Sequence, residues 1–152
     1  MFHDIFPLFK DRLLFKQLIK LIVSQYKFDV IDYVVGLEAR GFCLGTVIAY
    51  KLGVGFVPIR KAGKLPGKTI QLGYEKEYGK DICEIQCDEL NGKRILIVDD
   101  LIATGGSMKV AIDLLKLLQC TIVDCLVLRD VPELKDKYKS TMENNKYSIL
   151  LQ

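Results

Sequence analysis

The sequence lacks the features that mark a membrane-spanning or exported protein. Among its 152 residues, no apolar run comes close to the ~18 residues that a membrane-spanning helix requires. The chain start also lacks the ordered basic, apolar and cleavage regions of a secretory signal peptide. With 50% hydrophobic and 27% charged residues, the composition is typical of a globular domain that buries a core. We therefore expect a cytoplasmic protein in which residues 1–152 form a single domain.

A strong net charge is also missing, and histidine occurs only once. The formal net charge of +3 is too small to indicate a nucleic-acid or membrane partner. It is compatible with a small polyanionic ligand if the basic side chains converge at one place. His3 is the single histidine, and we do not assign it a catalytic role.

The cysteines lack the spacing of a zinc site. They are five in number: Cys43, Cys83, Cys87, Cys120 and Cys125. Neither close pair has the C-x2-C spacing, and no histidine lies near either pair. We expect reduced, mostly buried thiols and no protein-held metal.

Apolar patterns predict strands that alternate with helices. Asp11 should cap the first helix, whose apolar face would comprise Leu14, Leu18, Leu21 and Ile22. The patterns predict helices at 12–26, 42–52 and 108–118, and strands at 33–37, 56–59, 83–87, 94–98, 122–128 and 147–151. A polar, glycine-rich span at 60–79 has the character of a hairpin. This alternation predicts a parallel sheet covered on both faces, with ligands at the carboxyl ends of its strands.

The segment 94–118 is the most informative part of the chain. An apolar run is followed by Asp99 and Asp100, then by a loop with Thr104-Gly105-Gly106-Ser107, and then by a helical pattern. Glycines at a helix start let backbone amides approach a phosphate, which the helix dipole also favours. Two acids beside a phosphate site suit a ligand that also carries hydroxyl groups or a metal. A ribose 5-phosphate has that shape, whereas an ordinary turn with solvated acids would rarely contain this combination.

A second junction and a basic segment add further anion-binding groups. Residues 36–42 join a strand to a helix through glycines, and Arg40 lies between them. Residues 60–68 are strongly basic, although composition alone would favour a solvated surface loop there. A P-loop is excluded at Gly67-Lys68-Thr69, because its first glycine would fall on residue 62, which is alanine.

These motifs together resemble a known family. The segment 99–107 resembles the phosphoribosyl-pyrophosphate (PRPP) signature of type I phosphoribosyltransferases. Glu38-Ala39-Arg40-Gly41-Phe42, the segment 60–67 and Glu77-Tyr78-Gly79 are similar to motifs of the adenine phosphoribosyltransferases, in the same order. The resemblance extends from Phe2 to Gln152. It implies the α/β type I phosphoribosyltransferase fold, a parallel β-sheet flanked by helices with a small flexible hairpin and hood.

The resemblance implies a role for each motif. Glu77 and Tyr78 would be catalytic, with Glu77 preferred over Glu75 because only Glu77 directly precedes Tyr-Gly. The residues expected to bind the ribose and its 5-phosphate are Asp99, Asp100, Ala103, Thr104, Gly105, Gly106 and Ser107. Those expected to bind pyrophosphate are Glu38, Ala39, Arg40, Arg60, Lys61 and Lys64. Those expected to bind adenine are Phe2, His3, Leu101 and Val131.

The implied reaction joins adenine to PRPP and gives AMP and pyrophosphate, a step of purine salvage. Mg²⁺ would be bound mainly through PRPP and pyrophosphate oxygens, and the enzyme would be a homodimer. The hood segment that closes over the base is expected to be short, since the chain begins almost at Phe2. Two other functions remain open: a PRPP- or nucleotide-binding regulator on the same fold, and a phosphoribosyltransferase for another purine base.

Overall fold

The computed structural model describes residues 4–75 and 80–151. The sites predicted at Phe2, His3, Glu77 and Tyr78 lie outside the described residues. The helices are α1 Phe6–Lys10, α2 Arg12–Gln25, α3 Arg40–Leu52, α4 Gly106–Leu117 and α5 Lys135–Thr141, with a 3-10 turn at Pro132–Leu134. The strands are β1 Tyr33–Leu37, β2 Gly55–Lys61, β3 Thr69–Glu75, β4 Lys80–Gln86, β5 Arg94–Ile102, β6 Thr121–Asp130 and β7 Ser148–Leu151.

The described strands form one seven-stranded sheet in the order β3-β4-β2-β1-β5-β6-β7. Five adjacent strands run parallel to one another: β2, β1, β5, β6 and β7. Strand β4 pairs antiparallel with both β2 and β3. The predicted parallel sheet with flanking helices is thus confirmed, with an antiparallel hairpin at one edge. Because β1 and β5 are parallel neighbours at the centre, the loops that follow them open side by side.

Each face of the sheet packs against its own hydrophobic cluster. Alternate residues of β5 belong to different clusters. Ile95 and Ile97 lie in the cluster that packs against α4, and Leu96 and Val98 lie in the cluster that packs against α2 and α3. All four side chains are almost fully buried. This two-sided burial explains why β5 reads in the sequence as a continuous apolar run rather than an alternating one.

The burial of side chains on helix α2 agrees only in part with its apolar pattern. Leu18 and Ile22 are buried as predicted, together with Ile19. The prediction for Leu14 and Leu21 is wrong, because these side chains are 48% and 54% exposed. An apolar stripe on a helix can be wider than the face that its neighbours cover, and here only the side with Leu18, Ile19 and Ile22 is covered.

Four strands are longer than predicted, and two of them, β5 and β2, extend into predicted site residues. Strand β5 continues through Asp99 and Asp100 to Ile102, because this stretch stays paired with β6 up to Asp130. Strand β2 continues through Arg60 and Lys61, which pair antiparallel with β4. Strand β3 and helices α1 and α5 were not predicted as elements. In each case pairing or packing against another part of the chain decides the structure.

The cysteines are all free thiols, but fewer are buried than expected. Cys120 and Cys125 are buried, Cys83 and Cys87 are half-buried, and Cys43 is exposed. Among the described residues, no helix combines the length and the apolar character that crossing a bilayer requires.

The cap of α2 provides a test of the fold. Asp11 Oδ1 accepts hydrogen bonds from the amides of Leu13 and Leu14, at 3.0 Å each. We predict that Asp11→Ala lowers the free energy of unfolding by about 1 kcal/mol, measured by urea denaturation, because two helix amides lose their acceptor. Asp11→Asn keeps an acceptor and is the matched control. Equal stability of the Ala and Asn variants would contradict the capping role.

Candidate functional site

The carboxyl end of β5 and the start of α4 form a cavity of about 110 Å³. It is lined by Asp99 and by residues 101–108. Gly105 is the N-cap of α4 and has a left-handed φ of +82°. The first amides of this 12-residue helix have no partner within the helix and carry its positive dipole end, so the loop is suited to an anion.

Helix α5 supports this loop from behind. A Cβ atom on Gly105 would lie 3.1 Å from Cβ of Thr141 and 3.4 Å from Cβ of Tyr138. The Tyr138 hydroxyl is buried and donates to Asp130 Oδ2 at 2.6 Å, and burial together with this carboxylate raises the pKa of Tyr138. Helix α5 is not among the predicted helices, although the spacing of Tyr138 and Met142, both buried, is helical.

The second junction, between β1 and α3, lies directly against the end of β5. The Glu38–Ala39 peptide bond is cis, and α3 begins at Arg40, two residues earlier than predicted. A Cβ atom on Gly41 would lie 2.6 Å from the carbonyl oxygen of Val98 and 3.2 Å from Asp99 Oδ1. Only glycine therefore permits the two backbones to approach so closely.

The two acids at the end of β5 form an electrostatically coupled pair. Asp100 is 4% exposed, and its Oδ2 atom lies 3.0 Å from Arg40 Nε. That oxygen has no well-aligned hydrogen-bond partner among the described residues. Burial, the larger cause, and the charge of Asp100, the second, raise the pKa of Asp99 well above its usual range. The pair is suited to accept hydrogen bonds from ligand hydroxyl groups, which would satisfy the remaining oxygens.

Glu38 gathers the basic side chains of the next segment. Its Oε1 atom lies 2.9 Å from Arg60 Nη2 and 3.4 Å from Lys64 Nζ, and its Oε2 atom accepts from Arg60 Nε at 3.3 Å and from the Lys61 amide at 3.2 Å. The Arg60 hydrogen bond is the main reason that the pKa of Glu38 is lowered to about 2. Glu38 therefore holds cations through its carboxylate, and only its backbone is suited to an anion.

The remaining predicted residues lie around these loops. Lys61 Nζ is 4.0 Å from Asp81 Oδ2, and the Lys61 side chain is 64% exposed. Leu101 lines the cavity, and the Val131 amide donates to the carbonyl of Ile102 at 3.0 Å. Both hydrophobic residues are half-buried at the adjoining ends of β5 and β6.

Comparisons with known proteins agree with this geometry. The phosphoribosyl transferase domain family matches residues 9–148. The adenine phosphoribosyltransferase of Desulfosudis oleivorans is 46% identical over 140 residues, which cover 91% of this chain and 81% of that protein.

Solved structures show the same similarity. The adenine phosphoribosyltransferase of Saccharomyces cerevisiae, crystallised with an imino-altritol bisphosphate and adenine, superposes with a TM-score of 0.90 at 43% identity, covering 99% of this chain and 86% of that one. The Trypanosoma brucei enzyme, in complex with AMP, pyrophosphate and ribose-5-phosphate, gives a TM-score of 0.86 at 27% identity, covering 99% and 68%.

The support of the cavity loop by α5 can be tested at Gly105. We predict that Gly105→Ala is less stable than the parent chain by at least about 1 kcal/mol, because alanine is strained at positive φ and its Cβ would crowd Thr141. Gly92→Ala is the matched control, since Gly92 has a similar φ of +72° but an added Cβ meets nothing within 4 Å. Urea unfolding curves measure both variants. A Gly92 variant that loses as much stability as the Gly105 variant would show that packing against α5 contributes nothing.

Proposed function

The chain belongs to the adenine phosphoribosyltransferases of the phosphoribosyl transferase domain family, and from this premise we propose that it transfers the 5-phosphoribosyl group of PRPP to adenine. The products are AMP and pyrophosphate, so the reaction is a step of purine salvage. One observation carries the proposal: the Arg40–Asp100 contact joins two anion-binding junctions at a pair of carboxylates. PRPP is a ligand with phosphate groups at both ends and hydroxyl groups between them.

The loop after β5 binds the ribose 5-phosphate half of PRPP. The backbone amides of residues 103–107 and the hydroxyl groups of Thr104 and Ser107 donate to the 5-phosphate at the start of α4. Asp99 and Asp100 accept hydrogen bonds from the ribose hydroxyl groups. Because Asp100 is already buried beside Arg40, its carboxylate is oriented before the sugar binds.

The other half of the site binds pyrophosphate. Backbone amides of residues 38–41 and the cations Arg40, Arg60, Lys61 and Lys64 face the charge that grows on pyrophosphate as it leaves. Preorganised charges of this kind stabilise the transition state, because they need no reorganisation during the reaction. The Glu38 carboxylate keeps Arg60 and Lys64 together, so that their mutual repulsion does not separate them.

The acid pair and the pyrophosphate groups also fit Mg²⁺. Carboxylate and phosphate oxygens are the ligands that this ion prefers, and it usually keeps several waters. No group of three or more acidic, histidine or cysteine side chains that could hold a metal occurs among residues 4–75 and 80–151, so substrate oxygens would supply most ligands, with Asp99 or Asp100 at most assisting. When bound, Mg²⁺ neutralises part of the pyrophosphate charge.

The base side of the site completes the proposal. Leu101 and Val131 provide apolar contacts for adenine, and the resemblance assigns Phe2 and His3 to the same base. By the same resemblance, Glu77 would handle a proton on the purine and Tyr78 would be the second catalytic residue. We further propose that the enzyme is a single-domain cytoplasmic homodimer.

A binding and turnover experiment tests the proposed function. Isothermal titration with AMP, GMP and XMP should show binding of AMP alone in the micromolar range, and adenine with PRPP and Mg²⁺ should yield AMP and pyrophosphate. Preference for GMP or XMP would assign another purine base. AMP or PRPP binding without turnover would assign a regulator.

The pyrophosphate assignment predicts a selective defect. Arg60→Ala should weaken PRPP and pyrophosphate binding about tenfold and leave AMP affinity almost unchanged, because AMP lacks the group that Arg60 contacts. Calorimetry with the three ligands measures this. Lys20→Ala, which removes an exposed cation from α2, is the control. An equal loss of AMP affinity would assign Arg60 to the fold or to the other phosphate.

The catalytic assignment predicts a defect in the chemical step. Glu77→Gln should reduce the single-turnover rate by about 10²- to 10⁴-fold with little change in PRPP affinity, because glutamine cannot transfer a proton. Single-turnover rates are needed because product release can limit steady-state turnover. Glu75→Gln is the control and should retain the parent rate. A normal rate in the Glu77 variant would exclude it from the mechanism.

A further inference from the structure

Glu84 is a buried carboxylate that lies outside all the groups described above. It occupies the middle of β4 and is 1% exposed. In the sheet it pairs with Arg60 of β2 on one side and with Gln71 of β3 on the other. A carboxylate is buried in this way only when enough donors replace the water that it has lost.

Four donors surround this carboxylate. The amides of Lys64 and Leu65 donate to Oε1 at 2.7 and 2.8 Å. Gln71 Nε2 donates to Oε2 at 3.0 Å, and the Thr69 hydroxyl at 3.4 Å. Burial raises the pKa of Glu84, but the hydrogen bonds outweigh it and lower the pKa to about 2, so that the group is ionised at neutral pH.

The arrangement of two successive amides around one oxygen is typical of a nest, a backbone form that binds anions. Gly63 makes it possible with a φ of +82°, and Gly67 bounds the same segment with a φ of +76°. A loop with two such glycines has many accessible conformations, and fixing it has an entropic cost. Here the protein's own carboxylate fixes the loop before any ligand arrives.

The fixed backbone also determines where the cationic side chains of Arg60 and Lys64 lie. Lys64 receives the Glu84 contact at its amide, and its carbonyl accepts from Arg60 Nη1 at 3.3 Å. The side chains of both residues then meet Glu38. A continuous set of contacts therefore runs from Glu84 through the backbone of residue 64 to the two cations.

We propose that Glu84 is a positioning residue for the pyrophosphate half of PRPP. It does not touch the ligand; it holds residues 63–65 so that Arg60 and Lys64 are in place when PRPP binds. The inference rests on the proposed function, because it concerns the same pyrophosphate site. The binding energy otherwise spent on ordering the loop would then be available for affinity.

The test compares Glu84→Gln with the parent chain by calorimetry and steady-state kinetics. Glutamine has nearly the same shape but turns an NH₂ group toward donors. We expect about tenfold weaker binding of PRPP and pyrophosphate, the scale of one lost hydrogen bond to a charged group. KM for PRPP should rise accordingly, while AMP affinity and kcat at saturating PRPP stay close to the parent values. Glu143→Gln, at an exposed position, is the control.

Two further measurements separate positioning from general destabilisation. Amide hydrogen exchange at residues 63–65 should accelerate in Glu84→Gln, whereas exchange in α4 should not change. In an Arg60→Ala background, Glu84→Gln should cost less PRPP affinity than in the parent chain, because the cation that it positions is gone. Should Glu84→Gln fail to fold, Gln71→Leu removes one donor from the same carboxylate and should weaken PRPP binding about twofold to threefold.

The outcomes distinguish this inference from the proposed function. A parent chain that binds no PRPP would overturn the proposed function and with it the assignment of Glu84. A parent chain that binds PRPP, and a folded Glu84 or Gln71 variant that binds it equally well, would overturn the inference alone. Equal losses for PRPP and AMP would also overturn it, since they would indicate a general structural role.

Discussion

The close contact between Gly41 and the end of β5 is the constraint on which the site depends. The backbone of α3's first turn passes so near the Val98 carbonyl that a side chain at residue 41 would overlap it. This proximity follows from the parallel pairing of β1 with β5 at the centre of the sheet. Two loops that are distant in sequence are thereby joined, and Arg40 reaches the Asp100 carboxylate.

Charge in the candidate site is balanced locally by carboxylates of the protein itself. Glu38 forms ion pairs with the side chains of Arg60 and Lys64, and Glu84 accepts a hydrogen bond from the backbone amide of Lys64. Two of the four cations between residues 60 and 68, Arg60 and Lys64, are therefore held close together in the absence of a polyanion. The pKa values of both carboxylates are lowered to about 2, so this balance persists at any pH at which such a protein works.

The sequence was sufficient for the features that local patterns determine. Strand β1 has the predicted bounds, and the strand-loop-helix arrangement around Asp99, Asp100 and Gly105 is as expected. It was insufficient where a residue's environment comes from a distant segment. Glu84 appears in the sequence as one acid in a polar strand, because its donors at residues 64–71 are brought to it only by pairing of the edge hairpin.

Helix α5 has a consequence for the interpretation of natural variation. Its residues 138 and 141 contact the loop at Gly105, although they are far from the motifs that define the family. A screen for loss of function would thus recover substitutions between residues 135 and 141 alongside those in the signature itself. Sequence surveys that score only ligand-contacting positions would classify such alleles as neutral.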